Sequence, residues 1–522
     1  MLRHTRPMFT PSTMASDSST SQSYPPRIAR VWVVAIGLAL LAGIAFRIRA
    51  GLLEPGLWYD EVLWYERFMT GFKRGIRAPA YAAFHYHYFK SLTVPLEYQV
   101  RLVSIVCGIA VLPLFTITVH KLFNNLRLTF LGTILLSSNV AAISFTHEFK
   151  PYSMELCLHT VWLLSLVGFS SKRASLWVSS LVLLGGLSLS YGCIPLIAFQ
   201  LVFAIHLYRK REITLGDLLG CVAIFAGYLV YFLGVYPHLQ GTGTKRWGRK
   251  YGVFFNTSVH GTGVSAYLTW FFAKLSTYVT YPLNWYQDVT FEDRADGFPK
   301  GHGYLQLWWL GAVYLLVLLR KMRQTRYDDP RLIPVYLLLG YTLAGILRIY
   351  PLGFFRANLF IFLYATLSLL FVLQGALTRV SPRNANLLVG LMLIPTCMSF
   401  SSQSPGEKSF YNLALAPALE EICKASQGEP VTLITDRKVA PAITFYLNHR
   451  VPLTCQRSIS VMNFRNPSDL ESLLQGKGDR YVIYAEGSSD FRAQIHRSLI
   501  EQHHGELIVH RGSMAEYLVR GD

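Results

Sequence analysis

The run Val31-Trp32-Val33-Val34-Ala35-Ile36-Gly37-Leu38-Ala39-Leu40-Leu41-Ala42-Gly43-Ile44-Ala45-Phe46 carries no charged side chain. It is longer than the apolar core of a usual signal peptide, and no small-residue cleavage pattern follows it. It reads as an uncleaved membrane anchor. Arg27 and Arg30 precede it closely, which puts the N-terminus in the cytoplasm by the positive-inside bias. The stretch Gly56-Leu57-Trp58-Tyr59-Asp60-Glu61-Val62-Leu63-Trp64-Tyr65, an adjacent acid pair among aromatics, then lies outside. Carboxylates beside a bilayer are costly unless they face water or a polar partner, so this pair needs a reason.

The 522 residues are 52% hydrophobic and 15% charged, against roughly 25% charged for a soluble domain. That is the composition of a multi-span α-helical membrane protein. The formal charge of +19 lies mostly in short connections between apolar runs, where it orients the chain in the bilayer and does not indicate nucleic acid. Beyond the anchor, spans read at roughly 101–119, 128–146, 153–170, 174–191, 193–208, 216–236, 304–319, 332–350, 357–375 and 386–402, each near the length a bilayer requires. About eleven helices result, with the N-terminus in and the C-terminus out. The cytoplasmic connections then hold Lys121/Arg127, Lys172/Arg173, Arg209-Lys210-Arg211, Arg320-Lys321/Arg323/Arg326 and Arg379/Arg383. All are basic, as this topology requires, and they support splitting 174–208 at Tyr191-Gly192-Cys193.

Three regions flank or interrupt the spans. Residues 1–30 are Ser/Thr/Pro-rich and read as a disordered cytoplasmic tail. Residues 31–402 form the membrane domain, with external loops over 51–100 and 237–303. The second loop carries Lys245-Arg246 and Arg249-Lys250, the aromatic segment 267–286, and Asp288, Glu292, Asp293 and Asp296. Its basic patch suits anionic head groups or, alternatively, a phosphate-bearing substrate. Residues 403–522 alternate β-type runs (431–435, 480–484, 507–509) with helix-like stretches, which predicts a small external α/β domain. It has no Gly-rich phosphate loop or metal-ligand spacing and reads as a cover or acceptor-contact module. Of the 7 cysteines, five lie in apolar runs, and only Cys423 and Cys455 are candidates for a disulfide.

The topology gathers four segments on the outer surface: Asp60-Glu61; Arg77-Ala78-Pro79 leading to His85 and His87; Thr146-His147-Glu148-Phe149-Lys150-Pro151-Tyr152; and Tyr350-Pro351-Leu352-Gly353-Phe354-Phe355-Arg356. Each has a bland alternative. Asp60-Glu61 suits a helix start, Lys150-Pro151 a helix boundary, and Arg356 could snorkel to head groups. His85 and His87, two residues apart, face apart on a helix and make a poor metal pair.

Phe46-Arg47-Ile48-Arg49, Leu57-Trp58-Tyr59-Asp60-Glu61, Ala78-Pro79, Arg101-Leu102-Val103-Ser104 with Gly108, and Glu148-Phe149-Lys150-Pro151-Tyr152-Ser153 follow one another over the first third of the chain. This succession resembles the GT-C glycosyltransferases of the protein-mannosyltransferase-like and aminoarabinose-transferase-like branch. Tyr350-Pro351…Arg356 resembles their late Tyr-Pro…Arg element. Phe149-Lys150 stands where an Ala-Arg pair is common, and Tyr59 where a smaller residue is frequent.

The resemblance implies transfer of one sugar from a polyprenyl-phosphate donor to a glycan, lipid or protein acceptor outside the cytoplasm, in a bacterial inner membrane or a topologically equivalent one. It implies Asp60 as the catalytic carboxylate, taken here as general base. Neighbours on a helix point apart, so the two acids do not share one proton, and Glu61 joins the substrate-binding set as a supporting neighbour without an assigned role. The leaving phosphate needs cations, for which Lys150 and Arg356 are the candidates with Arg77 behind them; Tyr152 completes the substrate-binding set. Glu148 either positions the acceptor or joins Asp60 at a divalent cation. No required metal is expected, because hard cations want several oxygen ligands. The competing classes are a transporter or flippase of lipid-linked glycans, and a polysaccharide ligase or polymerase using a whole lipid-linked glycan.

Overall fold

The structure is a computed structural model that describes residues 26–53, 59–69, 79–92, 97–149, 151–239, 264–283, 308–347, 359–402, 415–426, 429–436, 439–449, 458–464, 467–475, 480–484, 495, 499–500, 506–511 and 514–519. Helix α1 (Pro26–Leu53) contains the anchor; α2 (Tyr59–Met69) and α3 (Pro79–Lys90) follow, then α4 (Leu102–Phe123) and α5 (Leu126–Ser137). Helices α6 (Tyr152–Gly168), α7 (Lys172–Leu189), α8 (Leu196–Arg209) and α9 (Leu215–Leu239) come next, the break at Tyr191–Cys193 being a 3-10 turn. Helices α10 (Val264–Thr280), α11 (Trp308–Arg323), α12 (Ile333–Ile346), α13 (Ile361–Leu377) and α14 (Pro382–Ser402) complete the helical body. Among the described residues, Pro26–Ala50, Leu102–Phe123 and Leu215–Phe232 are long and apolar enough to cross a membrane, and four shorter apolar helices accompany them.

The structure departs from the expected spans in two places that matter. Ser137-Ser138-Asn139 interrupts the helix expected over 128–146. Such residues offer side-chain hydrogen bonds that compete with the helical backbone. The Asn139 side chain accepts from Ala142 N at 2.8 Å and starts a new helical turn, Val140–Ser144, while its amide donates to Tyr281 O at 3.0 Å. The chain then continues as a 3-10 turn, Phe145–His147, and Glu148 and Phe149 follow outside any helix.

Second, part of the expected external loop 237–303 is helix α10, which packs along α11. Gly311 lets the two backbones approach: a Cβ there would stand 2.2 Å from Phe272 O. Leu275, Tyr278 and Val279 join the main apolar core, and Tyr278 Oη lies 3.2 Å from Thr342 Oγ1 on α12. The basic patch 244–251 and the acids 288–296 lie outside the described residues.

After α14 come α15 (Leu415–Ser426), β1 (Val431–Asp436), α16 (Ala440–His449), β2 (Ile459–Phe464), α17 (Pro467–Leu474), β3 (Arg480–Tyr484), β4 (Glu506–Arg511) and β5 (Met514–Val519). The strands form one sheet in the order β2-β1-β3-β5-β4. β1 is parallel to β2 and β3, while β5 is antiparallel to β3 and β4. Cys423 on α15 is disulfide-bonded; the candidate partner Cys455 lies outside the described residues.

Candidate active site

The acid pair falls in the first turn of α2. Asp60 is the second residue of that helix, and its side chain lies outside the described residues. Glu61 is fully buried and doubly held. Arg101, just before α4, donates from Nε to Glu61 Oε1 at 2.9 Å and from Nη2 to Oε2 at 2.6 Å. The backbone N–H of Phe149 donates to Glu61 Oε1 at 2.5 Å. A guanidinium presents a planar fork that matches both carboxylate oxygens, so the pair is geometrically specific as well as charge-balanced. Removing Glu61 would leave a buried guanidinium without its acid, the costly way to break such a pair.

This clasp joins three segments far apart in sequence: the acid pair, the start of α4 and the turn that ends at Phe149. The broken helix at Ser138-Asn139 makes the third member available. An uninterrupted helix would tie up the N–H of Phe149 in the helical ladder.

Apolar contacts close around the clasp. Trp64 meets Phe149 edge-on at 6.1 Å between ring centroids. Phe149 in turn packs against Phe89 at 5.1 Å and His85 at 5.1 Å. His85 is buried, and its Nδ1–H donates to Tyr81 O at 2.8 Å, which fixes the tautomer because a carbonyl can only accept. Burial pushes the imidazole pKa down to about 4, with the bond to Tyr81 opposing. His85 is therefore a neutral packing group at neutral pH.

The C-terminal layer reaches the same place. Tyr65 on α2 packs edge-on against Phe445 at 5.2 Å and His449 at 5.9 Å, both on α16. Val62, Trp64, Tyr65, Phe89 and Phe149 share one apolar cluster with Leu419, Leu433, Phe445 and Tyr446. Helix α2 is thus held by the clasp on the membrane-domain side and by the α/β layer on another.

Of the other expected site residues, Glu148 is half-buried directly before Phe149. Tyr152 opens α6, half-buried, with its ring 5.2 Å from Phe145. Arg77, Lys150 and Arg356 lie outside the described residues. No group of three His, Cys, Asp or Glu able to hold a metal occurs among the described residues; the Asp60 and Glu148 pairing falls outside them with the Asp60 side chain. Arg101, which stands in the sequence only as part of a motif with no role, turns out to be the partner of Glu61. The signal for it was weak: an Arg at the start of an apolar run is ordinarily a boundary residue.

The chain of apolar helices, with an acid-bearing helix after the first and a C-terminal α/β layer, shares its fold with a solved protein. The solved structure of ArnT from Cupriavidus metallidurans bound to undecaprenyl phosphate matches 95% of this chain and 100% of its own, at 13% identity and a TM-score of 0.51. At that identity the likeness speaks for the fold alone. The apo form of the same ArnT gives 12% identity, coverage of 95% and 100%, and a TM-score of 0.48. The Archaeoglobus fulgidus oligosaccharyltransferase with zinc and sulfate gives 11%, 86% and 68%, and 0.35. The last two likenesses are too slight to carry weight. No protein-family model and no curated protein sequence matches the chain.

Proposed function

We propose that the protein is a membrane glycosyltransferase that moves one sugar from a polyprenyl-phosphate carrier to an acceptor on the extracytoplasmic side, with Asp60 as general base. The observation that carries this reading is the Glu61 clasp. Both carboxylate oxygens of Glu61 are occupied, so Asp60 is the member of the pair left for chemistry. Successive helical positions sit about 100° apart, so the two acids of the pair leave α2 in different directions. The GT-C fold and the undecaprenyl phosphate bound by the similar ArnT point to a polyprenyl-phosphate donor.

In the reaction, Asp60 takes the proton of the acceptor hydroxyl as its oxygen attacks the anomeric carbon. The bond from that carbon to the phosphate oxygen breaks, and polyprenyl phosphate leaves with the electron pair. Lys150 and Arg356, with Arg77 behind them, offset the charge growing on the phosphate. Glu148 and Tyr152, on either side of Phe149 and Lys150, contact the acceptor or the donor sugar.

The disulfide at Cys423 supports an external C-terminal segment, because disulfides persist in oxidising compartments. Helix α2 contacts that segment through Tyr65, which favours the same side for the acid pair. The membrane is then a bacterial inner membrane or one of equivalent topology.

The test is a reconstituted transfer assay. Purified protein in liposomes, given a radiolabelled polyprenyl-phosphate sugar and a cell-envelope extract as acceptor source, should move label to a product and release unlabelled polyprenyl phosphate. Transfer from a nucleotide sugar in place of the lipid donor would reject the reading.

A further inference from the structure

The end of the helical body opposite the Glu61 clasp holds a second organised group of charges. Helix α4 begins beside Arg101 and runs 22 residues, a rise of about 33 Å. Just beyond its far end, Arg127 Nε donates to Asn386 Oδ1 at 2.8 Å. Asn386 is in the second turn of α14, so the connection from α13 to α14, which contains Arg379, lies at this far end too.

Three cations from three elements converge there. Lys321 is in the last turn of α11, Arg331 in the 3-10 turn Pro330–Leu332 before α12, and Arg379 immediately after α13. Arg331 is neutralised: its Nε donates to both oxygens of Asp329, at 2.8 and 2.9 Å, and its Nη1 donates to Gln374 Oε1 at 2.9 Å. Lys321 is not. Its ammonium makes no hydrogen bond or ion pair among the described residues and lies 5.7 Å from the centroid of the Phe371 ring.

Lys321 reaches this position through a gap that glycine leaves. A Cβ on residue 375 would stand 2.9 Å from Lys321 Nζ and 3.4 Å from its Cε. The lysine stem is therefore folded against α13 and not extended into solvent. There it is half-buried, and burial first, then the charges of Arg331 and Arg379, hold its pKa below the usual lysine value; Asp329 opposes only as the smallest contribution. An ammonium kept beside two guanidiniums with no acid of its own is electrostatically incomplete.

We propose that Lys321, Arg331 and Arg379 form a binding site for the phosphate of an anionic phospholipid at the membrane face opposite the Glu61 clasp. The phosphodiester of such a lipid supplies two unesterified acceptor oxygens and the missing negative charge at once. The surroundings identify the source of that phosphate as lipid. Leu316 and Leu319 on α11, within two turns of Lys321, are exposed and apolar at 67% and 40%, and Val380 beside Arg379 is 40% exposed. Acyl chains lie along such a surface while their head group sits at the ends of the helices. A soluble phosphate compound would make no use of it.

The experiment compares lipid retention in full-length protein. Delipidated wild type is mixed with phosphatidylglycerol or phosphatidylcholine in detergent, and bound lipid is counted by native mass spectrometry alongside the thermal unfolding midpoint. Wild type should retain phosphatidylglycerol selectively and melt higher with it. The double variant Lys321→Gln/Arg379→Gln, which leaves the Arg331–Asp329 pair intact, should bind phosphatidylglycerol more weakly by roughly fivefold for each charge removed. The pair Arg323→Gln/Arg383→Gln, on the same face but outside the group, should bind like wild type.

Equal loss in both double variants would mean diffuse surface charge and would overturn the site. Unchanged retention in Lys321→Gln/Arg379→Gln would overturn it as well. Stabilisation by inorganic phosphate at millimolar concentration, dependent on Lys321 and Arg379 and without phosphatidylglycerol selectivity, would overturn the lipid assignment and leave a soluble anion as the ligand.

Discussion

Glu61 and Arg101 are 40 residues apart in sequence and meet through two parallel hydrogen bonds of 2.9 and 2.6 Å, with both side chains withdrawn from solvent. Breaking such a pair by removing one partner costs about 3–5 kcal/mol, because the survivor is left buried and charged, whereas removing both costs much less. Glu61→Ala and Arg101→Ala are each expected to lower the unfolding free energy by that amount. Glu61→Leu/Arg101→Met should fall well short of the sum of its single changes. Additive losses in a double-mutant cycle would show that the two residues do not act as a pair.

His85 makes the membrane-domain end of this site sensitive to acid. Its folded pKa of about 4 lies below the unfolded value near 6.5. Between those values the unfolded chain binds the extra proton, so stability rises with pH. The contribution of the neutral imidazole is complete above about pH 6.5 and is lost as pH falls toward 4, by about 3 kcal/mol in all. Thermal unfolding of wild type should drop between pH 7.5 and 5, and His85→Phe should flatten that part of the profile. Parallel profiles for the two proteins would exclude His85 as the titrating group.

Arg47 is buried at the end of the anchor and caps helix α5. It donates from Nη2 to Leu136 O at 2.9 Å and from Nη1 to Ser137 O at 3.3 Å and Gly43 O at 3.1 Å. A cation on the last carbonyls of a helix satisfies acceptors that have no intrahelical partner and opposes the helix dipole. Arg47→Ala is expected to cost about 3 kcal/mol in the unfolding free energy, with Arg47→Lys recovering only part of it because an ammonium cannot span the carbonyls as a fork does. Full recovery by lysine would reduce the role of Arg47 to charge alone.

The contact of Tyr65 with Phe445 and His449 makes the C-terminal layer a support for α2. Phe445→Ala removes a side chain that is 2% exposed and should cost about 3–5 kcal/mol of local packing. Faster amide hydrogen exchange across residues 59–69 is the expected readout. Exchange confined to the sheet would mean that α2 holds itself.

The membrane class and the positions of most helices are legible in the sequence, because a long uncharged run in a chain only 15% charged has few places to go but a bilayer. Three strands are legible as well. Ile459–Phe464, an edge strand with Met462 exposed, and Met514–Val519, interrupted by Glu516, are not, since neither shows a clean apolar alternation. Helix α10 escapes for a related reason: Lys274 sits among its aromatics, and a buried lysine in an apolar helix is rare enough to read as loop. The Asp60-Glu61 pair is legible as a candidate, but the buried position of Glu61 is not. That depends on Arg101 and on the N–H of Phe149, which sequence spacing does not bring together.

The central claim is that Glu61 builds the site while Asp60 performs the chemistry. It is tested most directly by single-turnover sugar transfer from a polyprenyl-phosphate donor in liposomes, measured for wild type, Asp60→Asn and Glu61→Gln together with their unfolding midpoints. The expected result is loss of transfer by about 100-fold or more in Asp60→Asn with a midpoint near wild type, and a lowered midpoint in Glu61→Gln. Wild-type transfer by Asp60→Asn would contradict the assignment of the base.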